Sequence, residues 1–520
     1  MKKNIIRISL ALSTLAISLS SVSCTNEFEE INADPNKTDK PLTYGLFNNA
    51  NKQLMDGSRS SFESGRLALP WMQYSAQRNY TEEDRYQYRI TSSQSLWSTY
   101  YMVAADYKKI IELNTDPATA SQMSVYGPNN NQIAAARVML SYVFLNLADT
   151  FGDVPYYSYG NKDADFQALG IESTTTPKFA SQLKIYTDIL KELKEASDMI
   201  TTGDVVFTTG DHLFGSGEKL KRFANSLRLR VATRVKGVVP GADIAIQEAI
   251  ASGVMQSNDD NVGLKYENNL VNPSPIYSWF IGRSDFDINK TFTEVLKGKK
   301  GNFGQDPRLF KFAAPVGALI SDIMDGKVAE ETNPDNIQGM PYGIPSSLTA
   351  SQRASSSYWS SNVIRKDYTE ILMEYSEVEF LLCEANGWDD THYKKAVQAS
   401  LEKWNVEDSK ITQFVNSLPP ANKANVLNQK WIALFMQPYE AWAEYRRTGY
   451  PNLLLLPGQQ GQLNDGTPYT FTSLISGLTD LPTRIYYPTS LPLLNSANYN
   501  AAVSNMGADD MKTKLIWDKN

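Results

Sequence analysis

The sequence is poor in the residue types that most often announce chemistry. Its 520 residues include two Cys and two His, too few for a zinc cluster, a His-rich metal site or a disulfide framework. An excess of positive charge is also missing. Lys and Arg total 50 against 57 Asp and Glu, a net of −7, which excludes the broad basic field on which nucleic-acid binders rely. Beyond the N-terminus no apolar segment looks long enough for a spanning helix of about 20 residues. What is present is ordinary globular composition, 42% hydrophobic and 21% charged with 30 Gly and 24 Pro, on a chain longer than one core usually serves.

The strongest local signal lies at the start. Lys2, Lys3 and Arg7 precede an apolar stretch from Ile8 to Leu19 and the small run Ser20-Ser21-Val22-Ser23, so residues 1–23 read as a secretory signal with an apolar core too short to span. Cys24 follows directly, and the pattern resembles a bacterial lipobox, departing from many of them by carrying Ser21 in place of Leu. The expectation is cleavage before Cys24, acylation there and no other cofactor. Loss of three basic residues takes the net charge from −7 to −10. Membrane grip then comes from acyl chains, each buried CH2 contributing about 0.8 kcal/mol.

Residues 24–40 are polar, contain Pro35 and show no helical period, as a tether would. Asn32, Asp34, Asn36 and Thr38 alternate like the oxygen ligands of a calcium loop. The Gly at the sixth position and Glu at the twelfth are missing, and no metal is assigned. Glu27, Glu29 and Glu30 resemble signals that send some lipoproteins to the outer cell surface.

Most of the remainder, 41–520, reads as helices joined by long loops. Ile133, Ala136, Leu140, Val143 and Leu147 share one helical face, which Val138, Phe144 and Leu145 widen to that of a deeply buried helix. A second stripe runs through Ile371, Tyr375, Val378, Leu382 and Ala385 and stops at Asn386-Gly387, a left-handed cap. Asp389, Asp390 or Thr391 then caps a helix carrying Ala396, Val397, Ser400, Leu401 and Trp404. The pair makes a hairpin of roughly the 34-residue tetratricopeptide period. Residues 96–114, 183–200 and 219–236 are further members. The predicted fold is mostly α, a tetratricopeptide-like hairpin scaffold with a Gly-, Pro-, Ser- and Asn-rich region at about 255–365, the kind of segment that forms binding surfaces.

An ordered set of motifs carries a resemblance: Glu30-Ile-Asn-Ala-Asp-Pro-Asn36, Asp149-Thr-Phe-Gly-Asp-Val-Pro-Tyr156, Asp306-Pro-Arg308, Glu377-Val-Glu-Phe-Leu-Leu-Cys-Glu-Ala385 and Glu440-Ala-Trp-Ala-Glu-Tyr-Arg-Arg-Thr-Gly-Tyr-Pro451. Together with the lipobox they resemble the SusD/RagB-like lipoproteins, closest to the SusD-like branch. The resemblance implies a surface-exposed outer-membrane lipoprotein that captures a nutrient for a SusC-like TonB-dependent transporter. An oligosaccharide is the usual cargo and a peptide the alternative, with a cargo-free helical scaffold behind both. The motifs themselves have structural readings: Gly152 and Pro155 make a turn after a helix, and Arg446 and Arg447 sit at the negative end of another.

A glycan site needs aromatic faces beside planar hydrogen-bonding groups, and Tyr offers ring and hydroxyl together. Loop aromatics and their neighbours are therefore the candidates: Arg78, Asn79 and Tyr80; Trp279, Arg283 and Asp285; and Tyr342, Tyr358 and Trp359. The acidic balance opposes polyanionic cargo through long-range repulsion. Catalysis is the poorer reading. Cys383 sits on an apolar helix, where a free thiol behaves as a small hydrophobe. His392 lies across the following turn and the other His is at 212. Carboxylates are too many for a glycosidase pair to be singled out.

Overall fold

The apolar stripes become a chain of helices, each packed on its neighbour in sequence. The computed structural model describes residues 41–518. The signal segment, Cys24, the tether with its calcium-like alternation and the Glu30–Asn36 motif lie outside the described residues. Helix α1 (Thr43–Ser58) packs on α2 (Thr91–Thr115), α2 on α3 (Asn129–Phe151), α3 on α4 (Gln182–Met199), α4 on α5 (Gly217–Arg234) and α5 on α6 (Ala242–Ala251). After a long irregular stretch, α5 also meets α7 (Tyr375–Ala385), which forms a hairpin with α8 (Asp390–Lys403). Next come α9 (Asp408–Ser417), α10 (Lys423–Ala433), which packs on both arms of that hairpin, and α11 (Pro438–Thr448). This is the mostly helical, tetratricopeptide-like scaffold that the spacing predicts.

The expected helices at 96–114, 183–200 and 219–236 correspond to α2, α4 and α5. Helix α3 is buried nearly all round, with Ile133, Val138, Val143, Phe144 and Leu147 in the core. It corrects one reading of the sequence: its 23 residues are long and apolar enough to cross a membrane, yet 94% of its most apolar window is buried inside the protein. Arg137 interrupts that window, and its charge is met by Glu192 at 2.8 Å and Glu195 at 2.6 Å from α4. Gly152 ends the helix at φ +93, where a side chain would collide with Met506 as well as strain the backbone.

A second correction concerns Ile371. The four-residue step to Tyr375 suggests one continuous helix, but Thr369–Met373 is a strand paired antiparallel with Val262–Lys265. Its last four residues are buried, Ile371 to Met373 as a short apolar run, and periodicity cannot separate such a run from a helix. The helix begins only at Tyr375. At the other end Gly387 takes the left-handed conformation. Of the three candidate caps the structure selects Asp389, whose carboxylate accepts the His392 N–H at 2.9 Å.

Three of the family-like motifs, those at Asp149, Glu377 and Glu440, meet in the interior. Arg230 of α5 donates twice to Glu377 of α7, at 2.6 and 2.5 Å. Arg234, one turn on, bridges Asp149 of α3 and Glu440 of α11. Lys430 reaches Glu444 at 2.7 Å, and Arg447 makes a bidentate pair with Glu384. Against the upward push of burial, Arg447 and Lys430 hold the Glu444 carboxyl well below its usual range. Arg446 lies 3.7 Å over the Trp442 ring and donates to the carbonyls of Asp149 and Thr483. Arg308 is held by Asp306, Ser400 and Gln429. Arg230, Arg234, Arg308 and Arg446 are buried and Arg447 is half-buried; these arginines clamp the chain together from inside, as the structural reading of Arg446 and Arg447 predicts.

Candidate ligand-binding site

Two short strands set the site. Ser75–Gln77 (β1) pairs antiparallel with Phe286–Ile288 (β3 in chain order, β2 being Val262–Lys265). One more ladder bond, from the Arg78 N–H to the Asp285 carbonyl at 2.7 Å, brings together loops more than two hundred residues apart in sequence. A third segment joins them, because the Ile288 N–H donates to the Ser357 carbonyl at 3.1 Å. Arg78–Tyr80, Arg283–Asp285 and Tyr358 therefore emerge at one place.

The side chains are locked by charge. Asp287 lies at the floor, fully buried, and takes both oxygens' worth of hydrogen bonds from Arg78 at 2.7 and 2.8 Å. Burial raises its carboxyl to about 7, and Arg78 opposes the rise. The same guanidinium lies 4.4 Å over the Tyr358 ring, a cation–π contact. Asp285 gathers Arg66 at 2.9 Å, Arg283 at 2.8 Å and the Asn79 amide at 3.4 Å. Arg353 donates to the Asn79 side-chain oxygen Oδ1 at 2.7 Å. The Asp285 hydrogen bond raises the pKa of Arg283, and Tyr80 adds a smaller push in the same direction.

Above this floor the rings differ in what they offer. Tyr80 is 59% exposed and sits at φ +50, a left-handed conformation that costs a non-glycine residue roughly 1–3 kcal/mol and gathers at functional sites. Its neighbour enforces it: the Thr81 N–H donates to Ser346 at 3.1 Å and the Thr81 hydroxyl to the Ile344 carbonyl at 2.5 Å. Phe62 is partly exposed, with Arg66 at 4.4 Å and Arg89 at 5.1 Å from its centroid. Arg66 itself belongs to a π-helical turn, Ser64–Ala68, an irregularity common at functional sites.

Three sequence candidates are placed elsewhere. Trp279 and Trp359 are 8% and 0% exposed and pack at 6.2 Å centroid separation beneath the surface. Trp359 supports the loops from below, while Trp279 lines a separate cleft beside Lys52, Ser60 and Pro275. Tyr342 is 1% exposed and packs against Phe471, away from this cluster along a different cleft. Their burial follows from ring size: in a loop-rich region the large rings are what fill the core. Missing from the sequence reading are Phe62, Arg66, Asp287 and Arg353. Only Arg353 had a signal, as a cation shortly before Tyr358 in a serine-rich stretch.

The nucleophile candidate is used otherwise. The Cys383 thiol is buried and donates to the Asp389 carbonyl, and burial pushes its pKa up to about 12. His392 Nδ1 pairs with Glu379 at 2.6 Å. Thiol and imidazole therefore have separate partners, unlike an activated pair.

Residues 35–472 match the family model for SusD-like proteins, described as starch-binding and associating with the outer membrane. The chain belongs to the SusD-like family. Solved structures agree on the fold. A chitin-binding protein shares 24% identity at a TM-score of 0.71, covering 92% of this chain and 100% of its own. A chitin-binding SusD homolog from Flavobacterium johnsoniae shares 21% at 0.69, covering 92% and 99%, and a SusD homolog from Bacteroides uniformis 20% at 0.71, covering 93% and 100%. No curated protein sequence matches the chain. As a SusD-like protein it has the helical scaffold of these relatives, and its family is one of outer-membrane, glycan-binding proteins.

Proposed function

We propose that the protein is a lipid-anchored, surface-exposed receptor that binds an oligosaccharide and passes it to a SusC-like TonB-dependent transporter. The chain supplies recognition and no catalysis. The observation that carries this reading is the convergence of Tyr80, Tyr358, Arg78, Asn79, Arg283 and Asp285 from three distant segments into one surface. An exposed ring stands there beside guanidinium and amide groups whose positions are already fixed. Such preorganisation lowers the entropy lost on binding a flexible glycan, and planar donors beside a ring suit sugar hydroxyls and C–H faces. The family's starch-binding description and two chitin-binding relatives favour a glycan over a peptide. Cys24 is the anchor, after removal of residues 1–23.

Calorimetric titration with a panel of neutral oligosaccharides and short peptides tests the cargo. Heat with at least one oligosaccharide, reduced about tenfold or more in affinity by Tyr80→Ala, is expected. Binding confined to peptides would replace the cargo class, and no heat with either would leave a scaffold.

A further inference from the structure

A second concave surface shares no residue with the loop site. It is a cleft of about 370 Å³ lined by Lys290, Lys299, Lys300, Glu294, the amides of Gln460 and Gln462, and Tyr469. On a chain of net charge −7 it collects three ammonium groups around one carboxylate. Lys290 is tied down, donating to the Leu463 carbonyl and Asn464, and stands 4.0 Å from Glu294. Lys299 and Lys300 have no ion-pair partner within salt-bridge distance among the described residues, although both backbone N–H groups donate to the Glu294 carbonyl, at 2.9 and 3.2 Å. The turn is therefore fixed while its two charges are free. Burial lowers the pKa of Lys290 and of Lys300, so an arriving anion would relieve a desolvation that these cations already bear.

The opposite wall is the hairpin formed by the strands Gln460–Gln462 and Pro468–Thr470. Gly461 has no side chain, and a Cβ there would fall 2.6 Å from the Tyr469 ring. The ring thus lies close over the hairpin backbone, and its hydroxyl donates to the Tyr342 carbonyl at 2.5 Å. A held aromatic ring, two planar amides and free ammonium groups within one cleft form a set that recognises a sugar and its negative charge together. Bare anion binding would need only the lysines.

We propose that this cleft is a second carbohydrate site, selective for an oligosaccharide that carries carboxylate groups, a uronic-acid oligomer. The overall negative field repels such a ligand at long range; the cleft reverses that sign locally, at contact distance.

The test titrates the full mature chain with three probes: hexagalacturonate, the same oligomer after carboxyl reduction, and inorganic sulfate. Hexagalacturonate should bind, about tenfold more weakly in Lys299→Ala/Lys300→Ala and in Tyr469→Ala and more weakly again at high salt, while the reduced oligomer binds far less. Tyr469→Phe keeps the ring and should retain most of the affinity, separating platform from fold. Tyr80→Ala should leave this binding unchanged, so that failure of the loop site and failure of the cleft are told apart. Equal binding of the acid and reduced oligomers, or no response to the double lysine variant, would overturn the proposal. Sulfate binding as tightly as hexagalacturonate with Tyr469→Ala silent would reduce the cleft to a simple anion site. Loss of hexagalacturonate binding in Tyr80→Ala would assign it to the loop site.

Discussion

On the proposed function, single residues at the loop site separate into those that would face a ligand and those that hold the floor, and substitutions should show the division. Tyr80→Gly removes an exposed ring and relieves a left-handed backbone. Oligosaccharide affinity is expected to fall about tenfold or more while the urea midpoint stays level or rises. Trp359→Ala empties a fully buried volume and should cost roughly 3–5 kcal/mol in unfolding free energy. Asp287 adds a pH signature. Its carboxyl is raised in the folded protein to about 7, so the folded state keeps a proton that the unfolded chain releases near its ordinary value of about 4. The stabilisation this gives is complete below that value and is lost as pH rises through about 7. Unfolding of wild type and Asp287→Asn compared between pH 4 and 8 should show wild type losing ground to the variant over that window and a constant difference above it. The sequence made Arg78, Asn79, Tyr80, Arg283, Asp285 and Tyr358 visible as loop polar and aromatic residues. It could not show that they meet, because the β1–β3 pairing that joins them spans more than two hundred residues and is only three residues long.

Among the elements, the existence and type of the helices were the most legible feature, since α2, α3, α4, α5 and α8 carry apolar stripes broad enough to fix them, while their ends were less so: α2 begins at Thr91, five residues before the expected start. The strand at Thr369–Met373 was not, because four buried residues satisfy a helical and an extended reading equally until Val262–Lys265 is seen beside them. The charge network was legible as motifs and illegible as contacts: nothing in the order of Asp149, Glu377 and Glu440 says that Arg230 and Arg234 will stand between them. Its consequence for stability is direct. Arg234→Leu strands Asp149 and Glu440 as buried carboxylates with one cation fewer, and should destabilise by roughly 3–5 kcal/mol. Chemical denaturation checks this. The triple change Arg234→Leu, Asp149→Leu, Glu440→Leu should recover much of the loss, because no charge is then left without a partner.

For the whole molecule, the proposed anchor and the scaffold make separate predictions. Fatty-acid labelling should mark the native chain and fail with Cys24→Ala, and the variant should be released from the membrane fraction while the purified body keeps its thermal transition. Equal labelling of both would remove the anchor. Helix α3 bears on how such a chain could be secreted at all. An exported polypeptide passes through the inner membrane unfolded, and a segment as long and apolar as Asn129–Phe151 risks arrest there, partitioning sideways into lipid. Arg137 near its centre opposes that insertion by about 2.5–3.5 kcal/mol, and after folding the same charge is neutralised by Glu192 and Glu195. If the chain is exported as its proposed signal segment requires, one guanidinium serves passage first and packing afterwards. Arg137→Leu should leave part of the newly made chain stalled in the inner membrane, measurable by fractionation, even where its refolded counterpart is well formed.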